Sequence, residues 1–426
     1  MFSTPVVAAF AVLVWAPPGA AAETVRIVDL VAEALANNPE ILAAQKAYEA
    51  ARQRPAREAS MPEPVLSLGY ASNGGPLPGQ QLGRNPTSNI GVSVSQEIPY
   101  PGKRKLRGEI ATREAEAEFW QYQAIQLSVR SRVVQAAHRL HHTYAAVEIL
   151  EQGKEVLSRT LRVSEARYAV GKVAQQDIFK TQTQLSMMET RIIRMLQDRA
   201  MAEAELNSLL NRKPGASMGQ PAPQDAPPLA VTVDEYLARA AATAPELNRR
   251  LLMVARGELG VNLARKDFHS DYTVSAGYYN QGTMPAMYQV RVDIPLRLHA
   301  ESRQRPALTQ QVALLSESRR DFEAANQSLQ FRVRAAWAEA ETALRLAKLY
   351  VDTILPQSRL TVESSLTAYQ TGGSDLVSVL NNLATQIDVE EQLHEQELNY
   401  ALALARLEEM TGTAISKKPS NKETPK

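Results

Sequence analysis

Hydrophobic positions in this chain follow two different periods, and each period occurs twice. Between residues 105 and 168 there is no proline, and Val133, Ala137, Leu140, Tyr144 and Val147 recur at alternating spacings of four and three. Trp337, Ala340, Leu344, Ala347, Val351 and Ile354 do the same further along. This spacing makes a narrow apolar seam along a helix, suited to packing on another helix with left-handed coiling. At about 1.5 Å per residue, a helix filling the first of these segments would reach on the order of 95 Å.

The second period is two. Leu66, Leu68 and Tyr70 alternate with Ser67 and Gly69, and Val92 and Val94 with Ser93 and Ser95. Tyr272, Val274, Ala276 and Tyr278 alternate with Thr273, Ser275 and Gly277, and Val290, Val292 and Ile294 with Arg291 and Asp293. The alternation predicts strands at about 64–74, 88–99, 271–282 and 286–298, each with one apolar face. A half-buried soluble sheet and a lipid-facing barrel wall both fit runs of this length. Four strands cannot close a barrel within one chain, and an open edge in lipid leaves backbone groups unpaired at several kcal/mol each. A membrane reading therefore requires several chains to share one barrel.

The rest of the chain is also duplicated. Asp29 to Gln45 matches Glu235 to Leu251 as a helix, with Pro39 and Glu40 aligned to Pro245 and Glu246. Ile98-Pro99 follows the second strand and Ile294-Pro295 the fourth. Each long helix then ends at a glycine, in "RYAVGK" at Gly171 and "AYQTGG" at Gly372. Glycine is costly inside a helix but favoured just past its end, where φ turns positive. New helices are expected at Gln175 to Asn211 and Asp375 to Met410, with Asp375 as an N-cap.

Each half thus reads helix, strand, strand, long helix, turn, helix, and the glycines mark the tips of two helical hairpins. The predicted organisation is a first repeat over 23–211 (hairpin about 105–211), a Pro/Gly-rich linker over 212–231, and a second repeat over 232–412 (hairpin about 302–411). A disordered tail is expected over 413–426. Pro356 falls inside the second hairpin, and Gly153 with Glu155 occupies the corresponding place in the first. Both halves are therefore expected to weaken their long helix at the same level.

Composition narrows the function classes. Lys plus Arg total 47 against 46 Asp plus Glu, a net charge of +1 that gives no long-range field to attract nucleic acid. There are no cysteines, which excludes disulfides, thiolate metal sites and a lipoprotein anchor. Residues 1–22 run from an apolar Val6–Trp15 core to Ala20-Ala21-Ala22, the pattern of a secretory signal, although Met1 to Thr4 carry no basic residue. No later segment offers about 18 consecutive apolar residues, so no transmembrane helix is expected.

No catalytic residues and no cofactor are expected. "GVSVSQ" lacks the last glycine of a nucleophile elbow, and there is no H-E-x-x-H or phosphate-binding loop. His138, His141 and His142 share one helix face at metal-ligand spacing, yet without a nearby carboxylate such a trio is more often a solvated face. Met188 and Met195 stand seven apart and read as seam residues, and Met187 and Met201 are read with them as packing rather than soft-metal ligands.

Taken together, "ALANNPEI", the duplicated hairpins, "QEIPYPGKR", "RYAVGKVAQQDI" and "ILPQSRLTVESSLTAYQTGGSDLVSVLNN" resemble the TolC-type outer-membrane efflux protein family, over about Val25 to Gly412. "QEIPYPGKR" is similar to the heavy-metal branch, the CusC and CzcC type. The resemblance implies a mainly α fold with a small transmembrane β part. A homotrimer would pool its strands into a twelve-stranded β-barrel in the outer membrane, continued by a long α-barrel across the periplasm. It implies a passive duct in outer-membrane lipid, docked to a periplasmic adaptor and an inner-membrane pump of the RND type. Tyr168, Gly171, Val173 and Asp177 match the first tip motif, and Tyr369, Gly372 and Leu376 the second, regions that contact the adaptor in the family. The family's pore-narrowing aspartates correspond to Ser378 and Asn381, so that carboxylate ring is absent. The alternatives are the duct of a type I protein secretion system and, in a different class, a soluble periplasmic coiled-coil adaptor.

Overall fold

The computed structural model of the protein describes residues 24–222, 227–229 and 231–412. The expected signal segment and tail lie outside the described residues. The chain opens with three helices, α1 (Ile27–Asn37), α2 (Pro39–Ala51) and α3 (Arg54–Ala59). Strands β1 (Val65–Ala71) and β2 (Asn89–Ile98) follow, then helices α4 (Lys103–Ala169) and α5 (Gln175–Leu209). The second half runs α6 (Val233–Thr243), α7 (Pro245–Lys266), β3 (Tyr272–Asn280), β4 (Met287–Asp293) and α8 (Gln304–Leu349). A π-helical turn, Tyr350–Ile354, leads into α9 (Leu355–Thr371) and α10 (Leu376–Thr411).

The pattern over Asp29 to Gln45 predicts one helix, and the structure makes two. Pro39 excludes Asn38 from the helical region, its φ of −65° and ψ of 125° being those of extended backbone, and the Asn38 side chain accepts from Glu40 N–H at 2.9 Å. Ala244 before Pro245 breaks the second repeat likewise, with φ −58° and ψ 119°. β4 also stops short of its expected end, at Asp293, because Pro295 has no N–H to offer a ladder.

The two long helices differ from each other. α4 is a single helix of 67 residues and runs unbroken through Gly153 and Glu155. The expected weak point is instead a close-packing site, since a Cβ on Gly153 would fall 2.5 Å from Ile387 Cδ1. In the second repeat the helix does change, at the π turn immediately before Pro356. Proline has no N–H for the preceding turn, and its ring would clash with the carbonyl four residues back; widening that turn relieves both.

The described residues divide into two compact units, each drawing on both repeats. One contains the sheet and a core of small and aliphatic side chains from α6, α8 and α10, including Ala240, Val333, Ala336, Ala340, Ala403 and Leu407. Tyr400 closes that core, its hydroxyl donating to the Pro227 carbonyl at 2.6 Å. The other unit contains both helix-ending glycines and a core in which Leu150, Leu157, Met188, Ile192, Leu383 and Ile387 interdigitate. Met195 packs against it, whereas Met187 and Met201 are exposed. Among the described residues, no helix is long and apolar enough to cross a membrane.

Candidate functional sites at the hairpin tips and the sheet

The two glycine breaks are built alike. Gly171 has φ +74° and Gly372 φ +90°, the left-handed region that costs a side-chain-bearing residue most. Gly171 N–H reaches the Tyr168 carbonyl at 2.9 Å and Lys172 N–H the Arg167 carbonyl at 2.9 Å. Gly372 N–H reaches Tyr369 at 3.2 Å and Gly373 N–H reaches Ala368 at 2.8 Å. Each pair is the double bond of a Schellman cap, which satisfies the last carbonyls of a helix while turning the chain.

Beyond the second cap, Asp375 starts α10 as the sequence suggests. Its carboxylate accepts from Ser378 N–H at 2.8 Å and from Ser378 Oγ at 3.0 Å, and the backbone hydrogen bond foremost holds it below the usual aspartate range. Ser378 is therefore engaged in the cap, while Asn381 is exposed on the next turn. The first tip uses no such side chain, because Ala174 precedes α5; Asp177 stands in that helix's first turn, where its charge suits the dipole.

Of the tip residues singled out from sequence, some face outward and some do not. Tyr168 is 45% exposed, and a Cβ at Gly171 would meet nothing within 4 Å. Tyr369 and Leu376, at 2% each, lie inside the tip with Val379, and Val173 of the other hairpin packs against them. The Tyr369 hydroxyl is 3.0 Å from the buried Ser164 Oγ, and Arg167 sits over the Tyr369 ring and donates to its carbonyl. Sequence reading missed Arg167 and Ser164. The only available signal is that both occupy the last two turns of α4, where a second hairpin must pack.

The three histidines do not converge. Burial, and next His141, push the His138 imidazole down to about 4, so it is neutral. His141 Nδ1 lies 3.1 Å from the Pro221 carbonyl, and His142 is lowered by burial first and next by His394. Among the described residues, no group of three or more His, Asp or Glu is arranged to hold a metal ion.

The sheet is antiparallel in the order β1-β2-β3-β4, leaving β1 and β4 as its two edges. Its register gathers the alternating apolar residues into rows: Leu68 faces Val92, Val92 faces Tyr278, and Tyr278 faces Tyr288. A second row runs Leu66, Val94, Ala276, Val290. This continuous apolar face is the exposed one, with Leu68 at 78%, Tyr288 at 78% and Val290 at 77%. On the opposite face Ser93, Ser95, Thr273 and Ser275 are half-buried, the inverse of a soluble sheet. There the Tyr279 ring lies across two glycines: a Cβ on Gly91 would fall 2.0 Å from Tyr279 Cδ1, and one on Gly277 2.7 Å from Cε2.

Residues 30–212, the first repeat, match the family model described as outer membrane efflux protein. The first half of the chain is thus similar to that family. In its fold the chain is similar to the outer-membrane channel OprN, with a TM-score of 0.78 at 16% identity over 91% of this chain and 89% of that one. It is similar to CusC, with a TM-score of 0.77 at 15% identity over 93% and 95% of the two chains. The outer membrane protein VceC of Vibrio cholerae gives 0.77 at 15% over 92% and 97%. CusC is matched no better than the other two, so the likeness does not single out the heavy-metal branch. No curated protein sequence matches the chain.

Proposed function

We propose that the chain is one subunit of a passive efflux duct in the outer membrane. Copies would pool their sheets into one closed β-barrel and their hairpins into a helical barrel reaching into the periplasm. A single observation carries this reading: the sheet exposes its apolar face and leaves both edge strands unpaired. In water such a sheet is an aggregation site, whereas in lipid the apolar face is solvated by acyl chains and the edges demand closure. The strand order sets β1 of one copy antiparallel to β4 of the next, and three copies give twelve strands. The polar face, with Ser93, Ser95, Thr273 and Gln289, would then line a water-filled lumen.

The exposed Tyr168, Gly171 and Gly372 are the surface proposed to meet a periplasmic adaptor. Tyr369, Leu376 and Val173 would shape that surface from beneath, and the adaptor would join the duct to an inner-membrane pump of the RND type. Ser378 and Asn381 would border the pore without a carboxylate ring. Transport would involve no catalysis by this chain, and cargo would be chosen by the pump. Small solutes are the proposed class, with heavy-metal cations suggested by "QEIPYPGKR" and a secreted polypeptide as the alternative. The soluble adaptor reading is disfavoured by the exposed apolar rows.

The absence of cysteine makes a clean test possible. Leu68→Cys combined in turn with Tyr288→Cys, Val290→Cys or Val292→Cys should, on oxidation in membranes, give in at least one combination a disulfide ladder ending at three subunits. A chain that stays monomeric and leaves the membrane without detergent would refute the duct.

A further inference from the structure

Inside one chain, the end of β2 is tied to the beginning of β3. Lys103, only 1% exposed, stands 3.0 Å from Asp271 Oδ1 and 3.2 Å from Asp267 Oδ1. Its ammonium also donates to the His269 carbonyl at 2.9 Å. Asp271 accepts from Tyr100 N–H at 2.6 Å, and the Tyr100 ring stacks on His269 with centroids 4.3 Å apart. Gly102, at φ +90°, turns the chain so that Lys103 points into this joint. A cation on the outgoing side thus meets carboxylates on the incoming side, which gives "IPYPGK" a structural job.

The repeat calls for a second joint of the same kind, between the end of β4 and the beginning of β1. One chain cannot make it, because those strands are opposite edges of the sheet. The offset of 208 that aligns Gly277-Tyr278 with Gly69-Tyr70 aligns Asp271 with Glu63. Arg297 lies just past β4, three residues beyond Ile294, in the segment that corresponds to Ile98 through Lys103. Glu63 is exposed and Arg297 half-buried; neither makes a side-chain hydrogen bond or ion pair among the described residues. Arg297 Nε is shielded from solvent without a partner. A guanidinium left so is poorly compensated, and a carboxylate is the partner its fork of donors fits best.

We propose that Arg297 of one copy pairs with Glu63 of the next, closing between chains the joint that Lys103 and Asp271 close within each. The proposal rests on the shared-barrel reading above. It keeps the polarity of the internal joint, basic on the outgoing side and acidic on the incoming side. A ring of copies joined head to tail satisfies it at every boundary, whereas two like edges brought together would set equal charges against each other.

The test is the rate of subunit exchange between purified, detergent-solubilised assemblies carrying two different fluorescent labels. Glu63→Gln and Arg297→Gln should each speed exchange roughly tenfold or more. The swapped double variant, Glu63→Arg with Arg297→Glu, should return toward the wild-type rate, since a restored pair couples the two sites. Unchanged exchange in both single variants, or a swapped variant as fast as the single effects combined, overturns the pair while leaving the shared barrel standing. A folded wild-type protein that is monomeric overturns the barrel reading itself. Should a charge variant fail to fold, Glu63→Cys with Arg297→Cys is expected to oxidise to disulfide-linked trimers, and the absence of any intersubunit disulfide counts against the proposal.

Discussion

Arg167 on the first hairpin grips Tyr369 on the second, its guanidinium 4.7 Å from the ring centroid and donating to the Tyr369 carbonyl. The Tyr369 hydroxyl is fixed in turn by Ser164 at 3.0 Å. Two tips that each end on a glycine are thereby made into one body. The cluster of Tyr369, Leu376 and Val379, with Val163 and Val173 of the first hairpin packed against it, adds apolar contact at the same place.

Replacing Arg167 by Met keeps most of the apolar stem and removes the charge. The loss of a cation–π contact and a charged hydrogen bond should cost local stability about 1 to 3 kcal/mol. Amide hydrogens of residues 368–376 should then exchange faster, while those of the sheet are unaffected. Tyr369→Phe, which loses only the hydroxyl contact, should produce a smaller change in the same segment. Equal exchange in wild type and R167M would remove Arg167 from the tip's support.

Gly171 and Gly372 can be tested separately from that contact. Valine at either position should cost about 1 to 2 kcal/mol, because the left-handed conformation sets its Cβ against the backbone. The Gly171 site is sterically open, so its penalty is conformational alone. Insertion and oligomer formation should be normal in both variants, and efflux measured by cellular accumulation of a pump substrate should be lost. Wild-type efflux in both would argue against a docking role for the tips.

Much of this was readable from residue spacing, and the exceptions have identifiable causes. Period two placed Leu66, Leu68, Val92 and Val94 on one face because a strand has only two, and the register pairs them across rows. Gly171 and Gly372 were readable because positive φ is a backbone requirement expressed in a single residue. Gly153 carries the same letter for a different reason, the approach of Ile387, and nothing local distinguishes the two. Lys103 was unreadable as an interior residue, since its burial depends on Asp267 and Asp271 more than 160 positions away. Tyr369 matches the tip motif, but its burial depends on Val163 and Val173 of the other hairpin, which no local pattern announces.

The glycine pair beneath Tyr279 makes the sheet sensitive to one methyl group. Gly91→Ala would put a Cβ 2.0 Å from a rigid ring, and the overpacking should cost about 1 to 3 kcal/mol. Truncating the ring should relieve it, so that G91A with Tyr279→Ala melts no lower than Tyr279→Ala alone. Thermal denaturation in detergent followed by circular dichroism would show whether the two positions couple.

His138 gives the protein an acid-sensitive point. Its pKa falls from 6.5 to about 4, with burial as the main cause, so between those values the unfolded chain takes a proton that the folded chain refuses. Stability should therefore decline as pH falls from about 6.5 to about 4, by on the order of 2 to 3 kcal/mol, and level off below. His138→Leu should flatten that part of the denaturation profile. An unchanged slope would mean the imidazole is solvated.

The π turn at Tyr350–Ile354 also affects everything that follows it. In the first repeat, Val129, Ala136, Thr143, Leu150, Leu157 and Ser164 are all buried at an unbroken interval of seven. In the second, Ala340 plus 21 is 361 and plus 28 is 368, yet the buried residues are Val362 and Tyr369, each one place later. One added residue turns the continuation by about 100°. In an assembly of three chains, six hairpins would look alike as far as Tyr350 and form two alternating kinds beyond it. Whatever binds the tips would then meet threefold rather than sixfold symmetry.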